Sequence, residues 1–289
     1  MPKISIIVPN YNHSSFLNER LDSIFNQTFQ DFEVILLDDK STDNSTEILR
    51  HYTQNEKVSH FIINKKNSGS PFKQWKKGIE LAKGEFIWIA ESDDTCDLNF
   101  LEEQIKALQQ NDITVAKTLI LSNNIKTSEE LHNHFYKTYN TQSLKPEHFI
   151  NYCPIGNVSS IVFKKEIINN KSLDFSSFDI IGDMLFYFEN FRDKKIIYTT
   201  TTNSYFRRNT EGLSNLSKKD ILYYKKYFKE HLFLLKRLSK IVSRNHKTTI
   251  KNSLTRRFNK IKNRLSFKRK LSLTYLSIHL SYLKNKIDL

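Results

Sequence analysis

The sequence predicts an α/β fold: a mixed, mostly parallel central sheet flanked by helices, continued by a basic helical C-terminal extension. Over the first hundred residues, short apolar runs alternate with helix-spaced segments, the pattern of strands joined by crossover helices. Each apolar run ends in polar, mostly acidic residues. The charge is also sharply divided. Residues 218–289 hold 21 Lys and Arg against three acids, giving +18, so residues 1–217 carry −4 of the net +14.

Ile4 to Val8, Val34 to Leu37 and Phe86 to Ala90 are short apolar runs suited to buried central strands. Between the first two, Phe16, Leu21, Ile24 and Phe25 recur at helical spacing, with Ser14 or Ser15 available as a cap. The helix Ser70 to Lys83 is punctuated at both ends. Ser70 fits its cap, Pro71 its first turn and Gly84 its stop.

With 289 residues and 38% hydrophobic content, the chain has enough apolar material for a sizeable core, which excludes a disordered protein. Two cysteines, Cys96 and Cys153, exclude a disulfide framework and show no zinc-site spacing. Pro9 interrupts the first apolar run before a signal-peptide core is complete, and no stretch reaches the roughly 18 apolar residues of a membrane span. A cytoplasmic protein is expected, peripheral at most on the inner face of the membrane.

Ligands of parallel sheets bind at the carboxyl ends of strands, and three polar clusters stand there. They are Pro9-Asn10-Tyr11-Asn12, then Asp38-Asp39-Lys40-Ser41-Thr42-Asp43, then Glu91-Ser92-Asp93-Asp94. Asp and Asn also form turns and caps, and Asp43 fits a cap for a helix from Ser45 to His51. Two carboxylate clusters at one sheet edge repel each other unless a cation or donor groups offset them. Oxygen ligands alone favour magnesium, manganese or calcium over zinc.

The ordered set of these three motifs, with Asn67-Ser68-Gly69 between the second and third, resembles the family 2 glycosyltransferases of the GT-A, Rossmann-like fold. The resemblance runs over about residues 3 to 210, and Trp88 to Asp94 resembles a bacterial subgroup of the family. It implies a catalytic domain over residues 1–215, a basic helical region over 216–289, and an inverting transfer of a sugar from a nucleotide-sugar donor. The acceptor it implies is a glycan or lipid-linked glycan in surface polysaccharide biosynthesis.

By the same resemblance, Asp39 accepts a hydrogen bond from the base, suiting a UDP- or dTDP-sugar, while Pro9, Tyr11 and Asn12 shape the nucleoside pocket. Asp93 ends the family's Asp-x-Asp motif and is the expected ligand of a divalent Mn2+ or Mg2+ ion bridging the diphosphate. Glu91 departs from the usual Asp and is placed, with Ser92, Asn67 and Gly69, among the nucleotide-sugar-binding residues. Asp183 occupies the position of the catalytic base, and it also fits a cap for the helix Met184 to Phe191. Arg207 or Arg208 suits the diphosphate oxygens. A family histidine is replaced by Asn209, and Ser214 is a further candidate hydroxyl. Pro154-Ile155-Gly156-Asn157 resembles the acceptor-side floor, ahead of a strand-like run from Ser159 to Phe163. Gln74-Trp75-Lys76 replaces the family's Ala-Arg-Asn run, with Trp75 read as packing in the core or lying near the nucleotide.

In the tail, Leu273, Leu276, Leu280 and Leu283 share one helical face. That face suits either a membrane surface or the catalytic domain. The rival function is a nucleic-acid-binding protein using the basic tail, but no aromatic-basic RNA motif accompanies it. A nucleotidyltransferase lacks its basic glycine-rich triphosphate loop here.

Overall fold

The computed structural model describes residues 1–122, 125–131, 143–169, 174–208 and 219–289. Nine strands among them form one sheet: β1 (Ile4–Asn10), β2 (Phe32–Asp38), β3 (Val58–Ile63), β4 (Phe86–Ile89), β5 (Thr95–Cys96), β6 (Ile113–Ser122), β7 (Ile125–Leu131), β8 (Ile161–Lys164) and β9 (Ile196–Arg207). The order is β3-β2-β1-β4-β8-β6-β9-β5, with β7 paired to β6. The first four strands in that order are parallel. Beyond β4 the sheet becomes mixed, since β8 runs antiparallel to both β4 and β6, while β6 and β9 are parallel.

Every residue of β1 and β2 is buried, as expected for strands covered on both faces. One face is covered by α1 (Ser14–Phe25), α2 (Ser45–Tyr52) and α4 (Phe100–Leu108), whose Leu17, Leu21, Leu49 and Phe100 meet Ile4, Ile6 and Val8. The other face meets α3 (Pro71–Leu81) and α5 (Gly182–Phe191). From α5 the same apolar cluster continues through α6 (Ile221–Ser239), α7 (Lys247–Arg264) and α9 (Leu273–Asp288), so the tail and the sheet share one core. A short helix, α8 (Phe267–Lys270), joins the last two.

The punctuation of α3 works differently from the sequence reading. Ser70 precedes the helix and Pro71 opens it, but the Ser70 hydroxyl donates to the Phe178 carbonyl at 2.8 Å instead of capping. The helix ends at Leu81, and Gly84 serves close approach. A Cβ there would stand 2.5 Å from the Ser5 nitrogen as the chain crosses β1.

Neither Ser14 nor Ser15 caps α1. The Asp43 carboxylate instead accepts the Ser14 N–H at 2.9 Å and the Ser45 N–H at 3.0 Å, closing the N-termini of α1 and α2 together. Burial alone would raise the Asp43 pKa, but these hydrogen bonds outweigh it and hold the group down at about 2.

Candidate active site

The register pairs Asn10 with Asp38 and Ile7 with Ile89, so the three polar clusters emerge side by side at one edge of the sheet. Hydrogen bonds then knit them together. Asn10 Nδ2 donates to Asp38 Oδ1 at 2.9 Å and to Ser41 Oγ at 3.1 Å. Asn12 and Lys40 adopt left-handed backbone, with φ of 55° and 64°, and Asn12 Oδ1 accepts the Thr42 N–H at 2.7 Å. His13 Nδ1 lies 2.8 Å from Ser92 Oγ, tying the first cluster to the third. Burial pushes the His13 pKa down, partly countered by the charges of Asp94 and Asp43.

Asp39 is buried and surrounded by donors. It accepts from Asn64 Nδ2 at 2.7 Å, from Gln74 Nε2 at 2.8 Å, and from both the N–H and the hydroxyl of Ser68. The loop before α3 is thereby pinned to the end of β2. Asn67 Oδ1 accepts the Gly69 N–H at 2.6 Å, and Gly69 takes the positive φ of 73° that glycine tolerates without strain.

In the third cluster the carboxylates differ. Burial, reinforced by the Asp93 charge, pushes Glu91 up to about 8, against the opposing hydrogen bond from Trp75. Asp94 is fully enclosed, and burial with the same neighbouring charge raises it to about 6; the Arg207 N–H, 3.0 Å from its Oδ1, opposes that rise. Behind them lies Arg20, with no exposed surface and its guanidinium 4.7 Å from the Trp88 ring. Nε, Nη1 and Nη2 of Arg20 have no hydrogen-bond partner among the described residues. Its positive charge favours the ionised forms of Glu91 and Asp94.

Asp93, like Glu91, is partly exposed, whereas Asp94 is buried. Among the described residues, no three His, Cys, Asp or Glu side chains gather into a complete metal cage. A hard cation such as Mg2+ keeps several waters and takes one or two protein carboxylates plus phosphate oxygens. Asp93, partly exposed beside a buried Asp94 and a Glu91 held by the Trp75 indole, fits that mode of binding.

α5 begins at Gly182 with Ile181 at its cap position, so Asp183 stands inside the first turn instead of capping a helix from Met184, and it accepts the Met184 N–H on Oδ1 at 2.7 Å. Burial raises its pKa to about 6, with backbone N–H groups opposing. Gly182 packs against the Phe72 ring of α3, where a Cβ would stand 2.4 Å from the ring. From the same helix Trp75 reaches Glu91, donating its indole N–H at 2.6 Å, while its ring packs edge-on to Phe72 and to Phe186. Trp75 thus packs in the core while its indole N–H reaches the acidic turn. The Pro154–Asn157 loop leads into a tight turn whose Ser159 hydroxyl accepts the Glu91 N–H at 3.1 Å. The carbonyl of Ser159 accepts the Trp88 indole N–H at 2.9 Å.

Other expected residues are placed as follows. Pro9 is buried within β1 and Tyr11 is exposed at its end. Ser92 is buried. Arg207, expected at the diphosphate, is buried and braces the acidic turn. Its Nε donates to the Asp93 carbonyl at 2.8 Å, its Nη2 pairs with Glu19 at 2.5 Å, and it lies over the Phe16 ring. Arg208 pairs with Glu129 on β7 at 2.8 Å. Asn209 and Ser214 lie outside the described residues.

The sequence does not single out His13, Asn64 or Arg20, and Gln74 stands out only as part of the run that departs from the family. Arg20 does leave a signal: a cation falling on the buried face of α1 between Leu17 and Leu21.

The family model described as "Glycosyl transferase family 2" matches residues 5–194. The chain is 39% identical over 113 residues to the glycosyltransferase GlyG of Streptococcus pneumoniae serotype 4, covering 39% of this chain and 37% of that protein. It is 40% identical over 124 residues to the poly(ribitol-phosphate) beta-glucosyltransferase of Bacillus spizizenii, covering 40% of this chain and 19% of the relative. The matches thus span well under half the length of either relative. The structure of Staphylococcus aureus TarS 1–349 superposes with a TM-score of 0.67 at 20% identity, over 99% of this chain and 80% of that one. The same TarS fragment has also been solved in complex with UDP-GlcNAc, with a TM-score of 0.67. The match shares the GT-A fold that the sequence led us to expect. By the match of its first two thirds to the family model, the chain belongs to glycosyl transferase family 2.

Proposed function

We propose that this chain transfers a sugar, with inversion, from a UDP- or dTDP-sugar to a glycan or lipid-linked acceptor in surface polysaccharide synthesis. The observation that carries the reading is the convergence of three strand-end motifs into one hydrogen-bonded edge with Asp93 partly exposed. The name of the Bacillus spizizenii relative and the UDP-GlcNAc complex of TarS support the acceptor class and the donor class.

In this reading Asp39, Pro9, Tyr11 and Asn12 receive the nucleoside, with Asn67 and Gly69 forming the adjoining loop. Asp93 would hold Mn2+ or Mg2+ against the diphosphate, where the ion supplies Lewis-acid stabilisation of the leaving group. Arg207 acts one step back, fixing the backbone of the Asp93–Asp94 turn through the contacts it already makes. Arg208, on the exposed side of the strand end, is the cation left to approach the phosphates.

Asp183 removes the acceptor's hydroxyl proton. As the acceptor oxygen attacks the anomeric carbon, its proton passes to the Asp183 carboxylate. The bond from that carbon to the diphosphate breaks, and its electron pair leaves with the phosphate oxygen. A carboxyl raised to about 6 is still ionised at neutral pH, yet more basic than an ordinary aspartate.

We place the chemistry in residues 1–215 and treat 216–289 as a helical extension that shares their core. Screening nucleotide sugars for thermal stabilisation with Mn2+ or Mg2+ tests the proposal. Metal-dependent stabilisation by a uridine or thymidine diphosphate sugar is expected. No response to any nucleotide sugar would sink it.

A further inference from the structure

No helix among the described residues is long and apolar enough to cross a membrane, but α9 carries two apolar faces. Tyr275, Ile278 and Tyr282 are buried, with Tyr282 stacked on Phe258 of α7 at 4.2 Å. On the other side Leu273, Leu276, Leu280, Leu283 and Ile287 are exposed, by as much as 84% at Leu273. At 100° per residue these five fall within an arc of about 80°, nearly opposite the buried face. The leucine face noted in the sequence therefore points away from the protein body.

Single exposed leucines are ordinary, but a continuous ridge of them marks an interaction surface. Phe267 and Leu271, exposed at 77% and 73%, prolong the apolar surface into the preceding segment. Lys268, Arg269 and Lys270 stand between them, and Lys284 and Lys286 lie on α9 itself.

We propose that this ridge seats the protein on an anionic lipid surface, with α9 lying in the interfacial plane. An interfacial helix needs an apolar face to enter the acyl boundary and cations to meet the headgroups, and this segment supplies both. A nucleic acid would use the cations but has no use for a leucine ridge. A second copy would cover the ridge but bring two segments of +18 together. The surface lies outside the candidate active site and stands independently of the catalytic reading.

The test is co-sedimentation of the full chain with vesicles of phosphatidylcholine, with and without about 30% phosphatidylglycerol. Binding is expected only to the anionic vesicles, falling as salt rises. The triple variant Leu273→Ser, Leu276→Ser, Leu280→Ser should bind at least about tenfold more weakly while melting like the wild type. If that variant fails to fold, Leu273→Ser alone and the triple Lys268→Gln, Arg269→Gln, Lys270→Gln each give a smaller loss. Absence of vesicle binding by the wild type, or unchanged binding by a folded leucine variant, overturns the proposal. So does a wild-type dimer, seen by light scattering without vesicle binding, that the leucine variant converts to monomer. Salt-sensitive binding of an RNA oligonucleotide without vesicle binding overturns it equally.

Discussion

The indole N–H of Trp75 donates to the Glu91 carboxylate at 2.6 Å, joining the middle of α3 to the end of β4. Glu91 stands where the family pattern has Asp, and Trp75 stands in the run that departs from that pattern. The longer acid and the indole meet, so the two departures form one interaction. Trp75→Phe keeps most of the ring packing but removes the donor, leaving a part-buried carboxyl oxygen without it. A loss of roughly 1–3 kcal/mol in stability is expected, read by chemical denaturation, together with weaker donor binding. Unchanged stability and donor affinity would mean the bond is incidental.

Asp183→Asn should abolish transfer yet stabilise the fold. The folded-state pKa of this carboxyl is raised to about 6, so the ionised group costs stability above that pH. The penalty fades as pH falls from 6 toward the unfolded value and is absent below it. At neutral pH the neutral amide recovers up to about 3 kcal/mol, seen as a higher melting temperature. In the wild type, kcat/KM should fall below about pH 6 as Asp183 takes up its proton. Full transfer activity in Asp183→Asn would remove it from the base role.

Glu230 on α6 accepts the N–H groups of Asp179, Ile180 and Ile181 at 2.8, 3.0 and 2.9 Å, anchoring the loop that leads into Asp183. Glu230→Ala leaves three donors without this acceptor. It is expected to lower kcat at least about tenfold with donor affinity unchanged, since a misplaced base slows only the chemical step. Glu230→Gln retains one acceptor oxygen and should restore part of the rate. Equal rates in Glu230→Ala and the wild type would break this link between tail and base.

Removing residues 219–289 should yield insoluble or unfolded protein. Leu234, Leu235 and Leu238 of α6 and Ile250 and Leu254 of α7 share a core with α5 and the sheet, and truncation would expose that surface. A truncated chain with a wild-type melting temperature would show that residues 1–218 fold alone.

The sequence revealed most where structure is local. β1 and β2 were readable because strands buried on both faces are apolar without interruption. β9, Ile196–Arg207, is rich in Thr and depends on pairing with β6 and β5, which no local pattern encodes. β8 starts at Ile161, later than its apolar pattern suggests, because Asn157 Oδ1 accepts the Ser159 N–H and holds residues 158–160 in a tight turn. The site followed the same rule. Its motifs are short and contiguous, so they could be found. The donors around Asp39, the brace of Arg207 on Asp93, and the buried Arg20 join residues far apart in sequence, and folding alone brings them together.

In the proposed mechanism Asp93 would anchor a metal ion and the nucleoside diphosphate it accompanies at the end of β4. Isothermal titration of UDP into the wild type and Asp93→Ala, with and without Mn2+, addresses it directly. Metal-dependent binding is expected of the wild type, at least about tenfold weaker in a variant that melts normally. Equal affinity in the two proteins, or wild-type binding indifferent to the metal, would contradict it.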